Sequence, residues 1–135
     1  MLFGAANTLT GSGVTLVFTS NTGLNYGTLT AAGIFSLNLS PMTTGPTAGI
    51  AIWLDPNAPS PPIGGYSLTF ATPLSVLNIT GAIYAPAGSF NLVGVAAMPC
   101  TQIIASQIHL VGATVLRHNC TGVGTADVIA YKLLE

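Results

Sequence analysis

Short apolar phrases recur in a fixed order along this chain. VTLVFT (14–19) is followed by YGTLTA (26–31) and IFSLNL (34–39). AGIAIWL (48–54) is followed by YSLTFA (66–71) and SVLNIT (75–80), and AIYA (82–85) by SFNLV (89–93). TQIIA (101–105) is followed by QIHLV (107–111) and TVLR (114–117), with a last phrase, DVIAYKL, at 127–133. Each is rich in Val, Ile, Leu, Thr and aromatics and is bounded by Gly, Pro, Asn or Ser, as short strands are. No long stretch keeps apolar residues at a 3.6 spacing without Gly or Pro interrupting it. The class is therefore all-β. One three-strand cycle cannot bury its inward face alone, so a cycle repeated about four times must stack on itself. The expected fold is a single right-handed parallel β-helix (β-solenoid) of about four rungs over residues 1–135. Its handedness follows from the chirality of parallel crossovers.

Stacking predicts columns of like residues. Val17, Ile52, Ile83 and Ile103 form one, Phe18, Trp53, Tyr84 and Ile104 the next, and Leu37, Leu77 and Val115 a third. In the second column the aromatics read as an internal stack; facing out, Phe18, Trp53 and Tyr84 would instead make a sugar-stacking platform. Polar residues alternating with the inward ones point to solvent, as in Leu37-Asn38-Leu39 and Leu77-Asn78-Ile79. Gly33, Gly49, Gly81, Gly88, Gly94 and Gly112 stand at phrase boundaries, where turns call for positive φ. DPNAPSPPIGG (55–65) reads as a loop thrown out from one corner. A ligand or contact surface is sought on the outward Asn78, Thr80, Ser89 and Asn91, with Trp53 and Tyr84, or in that loop.

Only 4% of residues are charged while half are hydrophobic. Asp55, Asp127, Glu135, Arg117 and Lys132 are the whole set, for a net charge of −1. No basic patch exists to neutralise phosphates, so nucleic acid is excluded as a partner. No apolar run approaches the ~20 residues of a membrane-crossing helix. The N-terminus lacks the basic start and apolar core of a signal peptide. The abrupt opening suggests an excised segment of a longer protein, and Leu134-Glu135 has the look of a vector remnant. At about 20 residues per rung, Cys100 and Cys120 fall one above the other, near the ~5 Å rung spacing that suits a disulfide. The alternative is two buried thiols.

Catalytic constellations are hard to assemble. A polysaccharide lyase or hydrolase needs clustered carboxylates, and the internal acids here are only Asp55 and Asp127. A serine triad lacks its Gly-x-Ser-x-Gly elbow. His109 alternates with Ile108 and Leu110 and so points outward, while His118 sits at a corner beside Arg117; the two read as solvated residues rather than metal ligands. Arg117 and His118 are the only cations near the cysteines, too few to make either one a nucleophile. The motifs Asn38-Leu39-Ser40, Asn78-Ile79-Thr80 and Asn119-Cys120-Thr121 match glycan acceptor sites but fit chance in an Asn/Thr-rich surface. An ice-binding solenoid would show a regular Thr-x-Thr ladder; here Thr and Asn are mixed. The reading is a protein without catalysis, cofactor or metal.

AGIAIWLDPNAP, LNITGAIYAPAGSFNLVG and CTQIIASQIHLVGATVLRHNCTGVG together resemble the C-terminal region of TadG-like proteins of the Tad (Flp) pilus-assembly family. The resemblance runs from about Thr15 to the end. It rests most on Gly-Ala-Ile-Tyr at 81–84, Cys-Thr-Gln-Ile-Ile at 100–104 and Asn-Cys at 119–120. It implies a bacterial, extracytoplasmic module (periplasm or cell surface) whose parent is membrane-anchored. An oxidising compartment of that kind favours the Cys100–Cys120 bond. The implied role is a structural spacer or an adhesive contact surface, with pilus or envelope proteins as partners and no catalytic residues to carry over. A carbohydrate- or matrix-binding module, with surface glycans as ligands, is the alternative. The expected rungs begin near residue 14 with an open edge, which predicts self-association through that N-terminal end unless the first dozen residues cover it.

Overall fold

The computed structural model describes residues 2–3, 7–33, 35–59, 66–72, 76–94, 96–98 and 100–117. Among these there are eleven strands and no helix. They are β1 (Leu2–Phe3), β2 (Asn7–Gly11), β3 (Leu16–Phe18), β4 (Leu29–Ala32), β5 (Phe35–Leu39), β6 (Ile50–Leu54), β7 (Ser67–Thr72), β8 (Val76–Gly94), β9 (Ala96–Met98), β10 (Cys100–Val111) and β11 (Thr114–Leu116). Every ladder among them is parallel. The fold is all-β and solenoid-like.

Three stacks of ladders organise the chain. In the first, β3 pairs with β6, β6 with the middle of β8, and β8 with the start of β10. In the second, β1, β4, β7, the end of β8 and the end of β10 follow one another. In the third, β2 pairs with β5 and β5 with the beginning of β8. β9 and β11 form a separate pair. The strands read at 75–80, 82–85 and 89–93 are thus one 19-residue strand, β8, that serves all three stacks in turn. β1, β2 and β9 add strands where the phrase pattern shows none. β1 and β2 lie on β4 and β5 as two further strands, so these two strands cover part of the N-terminal end. The strand read at 127–133 lies outside the described residues.

Inside, the alternation of a sheet sets the core. Leu29, Leu68 and Phe90 share a column, as do Ala31, Phe70 and Leu92, and all six are almost fully buried. Phe70 touches Phe35 and Phe90, with ring centroids 6.3 and 5.7 Å away. Leu37 and Leu77 pair and are buried as expected. The first stack differs from the expected columns by one residue. Leu16, not Val17, faces Ile52, and Phe18 faces Leu54 rather than Trp53. Val14 is taken up by the preceding corner, where its N–H donates to Ser40 O over 3.1 Å. Val14 itself packs against the core, so the inward phase of this segment is Val14, Leu16 and Phe18, and a one-residue slip exchanges inside for outside. Val17 is accordingly 50% exposed.

The corners use glycine in two ways. Gly81 has φ +90°, and a Cβ there would stand 2.7 Å from Gly49 O in the adjacent winding. Gly33, Gly49, Gly94 and Gly112 share the positive φ. Gly88 does not, contrary to expectation. Its hydrogen is required by crowding, because a Cβ would lie 2.4 Å from Leu54 Cδ2 and 2.9 Å from Tyr66 O.

Candidate functional site

The outer side of the first stack carries the column Val17, Trp53, Tyr84, Ile104. Trp53 and Tyr84 are half-buried, and Val17 and Ile104 are exposed. The expected internal aromatic stack is therefore split. Phe18 is inside, whereas Trp53 and Tyr84 are outside. A bulge in β6 explains the phase: Ile50 pairs with Ala82 but Ile52 with Ile83, so Ala51 is the extra residue and both Ala51 and Ile52 are buried. Trp53 is left on the outer face.

Just past Trp53, Asp55 gathers a polar cluster. Thr19 Oγ1 donates to Asp55 Oδ2 over 2.7 Å. The Asn57 N–H and Asn57 Nδ2 both donate to Asp55 Oδ1, over 2.9 and 3.0 Å. The Thr19 hydroxyl, and then the Asn57 backbone N–H, hold the Asp55 carboxyl below its usual value. It remains a solvated carboxylate.

The third stack presents a second feature, a shallow groove of about 190 Å³ lined by Thr10, Gly11, Ser12, Asn38, Leu39, Ser40, Asn78 and Thr80. Thr10, Asn38 and Asn78 follow one another in register along its floor. Its wall is partly bonded to itself: Ser40 Oγ donates to Ser12 Oγ over 3.3 Å and Thr80 Oγ1 to Leu39 O over 3.3 Å. Asn38 Nδ2 reaches Ser36 Oγ at 3.0 Å. Asn78 is exposed. The groove offers neutral hydroxyl and amide groups and no charge.

On the second stack, Thr30, Thr69, Asn91 and His109 form an outward column. Asn91 Nδ2 donates to Thr69 Oγ1 and Ser89 Oγ over 3.4 and 3.3 Å, and Thr69 Oγ1 bonds Ser67 Oγ over 3.2 Å. His109 is exposed, as its alternation with Ile108 and Leu110 predicts. Ser89 corrects the outward reading: it is only 8% exposed. It follows the Gly88 corner, where its N–H is tied to Tyr66 O at 3.1 Å, and it lies between Ser67 and Gln107 in the stack.

The expected surface is thus divided. Asn78 and Thr80 belong to the groove, Trp53 and Tyr84 to the first stack, and Asn91 to the second, with Ser89 withdrawn beneath it. Thr10 was missed because NTLTG (7–11) has too few apolar residues to read as a strand, and Ser12 and Ser40, which follow β2 and β5, meet only because those two strands pair. The Leu9 of NTLTG is nevertheless placed as Leu37 is in FSLNL and Leu77 in VLNIT, which is the signal that aligns all three.

No group of three or more His, Cys, Asp or Glu that could hold a metal exists among the described residues. Cys100 is buried, and Cys120 and His118 lie outside the described residues. Among the described residues no helix is long and apolar enough to cross a membrane. Comparison with protein-family models, curated proteins and solved structures finds no match.

Proposed function

We propose that this chain is a right-handed β-solenoid of about four rungs that works as a non-catalytic spacer or contact module. Its setting is the extracytoplasmic part of a TadG-like, pilus-associated envelope protein. The observation that best supports a passive module is the bonding of polar side chains on the outer side to one another and to the buried Ser89. Asn91 bonds Thr69 and Ser89, Thr69 bonds Ser67, and Ser12 and Ser40 form another bonded pair. Side chains so engaged give a neutral, wetted wall rather than groups poised for proton transfer. A disulfide between Cys100 and Cys120 belongs to the same reading. Alkylation of the unreduced chain, followed by intact mass, should find no free thiol; two alkylated cysteines would refute the bond.

A second reading, binding of neutral saccharide, is favoured by one specific observation. Trp53 and Tyr84 stand together on the outside, with Thr19, Asp55 and Asn57 just beyond Trp53. Aromatic faces beside hydroxyl, amide and carboxylate groups suit a sugar ring and its hydroxyls. A glycan array separates the two readings. The spacer reading expects no specific signal. Specific binding lost in Trp53→Ala, with the fold intact, selects the saccharide reading. Polysaccharide cleavage by the purified chain, abolished in Asp55→Ala, would overturn both.

A further inference from the structure

Three Ser-x-Asn or Ser-x-Thr pairs bond along their own strands. Asn38 Nδ2 donates to Ser36 Oγ over 3.0 Å, Thr69 Oγ1 to Ser67 Oγ over 3.2 Å and Asn91 Nδ2 to Ser89 Oγ over 3.3 Å. The spacing allows it, since residues two apart point the same way from a strand. Val76-Leu77-Asn78 breaks the pattern. Valine stands where the serine would be, is 60% exposed and has no hydrogen-bonding group to give. Asn78 is exposed in the third-stack groove and makes no side-chain hydrogen bond to another described residue. Thr10, at the other end of the same column, makes none either. A braced side chain must release its bond before it can take a ligand. Asn78 and Thr10 have none to release.

The groove lies between two columns that cross three strands. Thr10, Asn38 and Asn78 are in register. Ser12, Ser40 and Thr80 lie two residues further along the chain and line the other side. A polymer seated between the columns meets one set of side chains per strand, about every 4.8 Å. That step discriminates. An extended peptide turns side chains to the same face only about every 6.6–6.8 Å, so it is out of step by the second strand. A polyanion finds no cation among the lining residues. An extended chain of β-linked pyranose rings advances by close to the strand spacing with each sugar and carries no charge. Successive rings then meet Thr10, Asn38 and Asn78. Asn78 offers two amide donors and an acceptor, and Asn38 keeps its Oδ1 as an acceptor.

We propose that this groove binds an extended, neutral, β-linked polysaccharide laid across the strands, with Asn78 as its main hydrogen-bonding group. The proposal rests on the contact-module reading and gives it a place and a ligand class. The site is separate from the Trp53–Tyr84 surface.

Side-chain amide NMR on the full chain tests this. The probe is cellohexaose, a β-1,4-linked glucose hexamer. The control is maltohexaose, its α-1,4-linked isomer, which coils. Cellohexaose shifts the Asn38 and Asn78 side-chain amide resonances, and maltohexaose does so far less. Asn78→Val weakens binding about fivefold or more, the loss of one or two hydrogen bonds. Val76→Ser, at an exposed position, supplies the missing brace and weakens binding while Asn78 itself is kept. Trp53→Ala leaves binding unchanged. No shift with cellohexaose, equal binding of the two hexamers, or binding indifferent to Asn78→Val overturns the proposal. If that indifferent binding is abolished by Trp53→Ala, the saccharide reading at the first stack stands in its place. Shortening of cellohexaose, seen by mass, strikes the non-catalytic reading instead, and the Asn78→Val comparison still decides for or against the groove.

Discussion

Trp53 and Tyr84 are register partners on the outer side of the sheet, while Ile52 and Ile83, one residue earlier in each strand, are partners on the inner side and fully buried. The pair of pairs fixes how cost should divide between neighbours. Ile83→Ala removes buried methyl groups and leaves a void, at a cost of about 2–5 kcal/mol. Trp53→Ala removes a half-exposed ring and costs less, about 1 kcal/mol. Urea midpoints at constant m-value measure both. Equal losses would place Trp53 inside after all.

Phe70 is the central ring of the core, fully buried between Phe35 and Phe90. Phe70→Ala should destabilise by about 3–5 kcal/mol. Phe70→Leu keeps most of the volume and should cost less than about 1.5 kcal/mol. Thermal unfolding of the two variants ranks them. A Phe70→Ala protein as stable as Phe70→Leu would mean that the site collapses around the void.

Gly81→Ala should destabilise by more than the ~1–2 kcal/mol of a left-handed residue with a Cβ. That methyl group would also press on Gly49 O, the acceptor of the Ala82 N–H at 2.7 Å. Gly23→Ala is the control, since Gly23 has φ +72° but nothing within 4 Å of an added Cβ. The difference between the two variants, read by chemical denaturation, isolates the close approach from the backbone strain.

Asp55 predicts an acid limb to stability. Its folded pKa lies below the ordinary value because Thr19 and Asn57 bond the charged form. The unfolded chain therefore takes up this proton first as pH falls. The contribution is fully present above the unfolded carboxylate value of about 4, and it is lost as pH drops further, through the folded pKa. Melting temperatures of the unmodified chain and Asp55→Asn, followed from neutral pH to pH 2, should converge at the acid end. Parallel curves would show that the cluster does not persist in solution.

Much of this architecture was legible in the phrases themselves. The cycle order, the inward Leu37–Leu77 pair and the outward Asn38, Asn78 and His109 all follow from period-two alternation between turn residues. Phase was harder to read. VTLVFT contains apolar residues on both sides of the sheet, so content alone cannot say whether Leu16 or Val17 faces in. The choice is made by the Val14 corner, a contact between residues 26 apart in sequence. The Ala51 bulge has the same character: nothing in AGIAIWL announces that one residue is supernumerary. β9 was missed because its Ala-Ala-Met has weak strand propensity and is held as a strand by β11. At the candidate site, sequence pointed to Asn78, Thr80, Trp53 and Tyr84 but grouped them as one surface. Corners between stacks divide them, and a corner's position depends on ladders that only the folded chain forms.

Among the described residues, every ladder that joins the chain before Val76 to the chain after Gly94 runs through β8. A solenoid loads in series. Among the described residues, tension applied between its two ends would have to cross the hydrogen bonds on both sides of this one strand. β8 is thus the mechanical link of the molecule, anchored by inward residues such as Leu77, Ile79, Ile83, Phe90 and Leu92 that are almost fully buried.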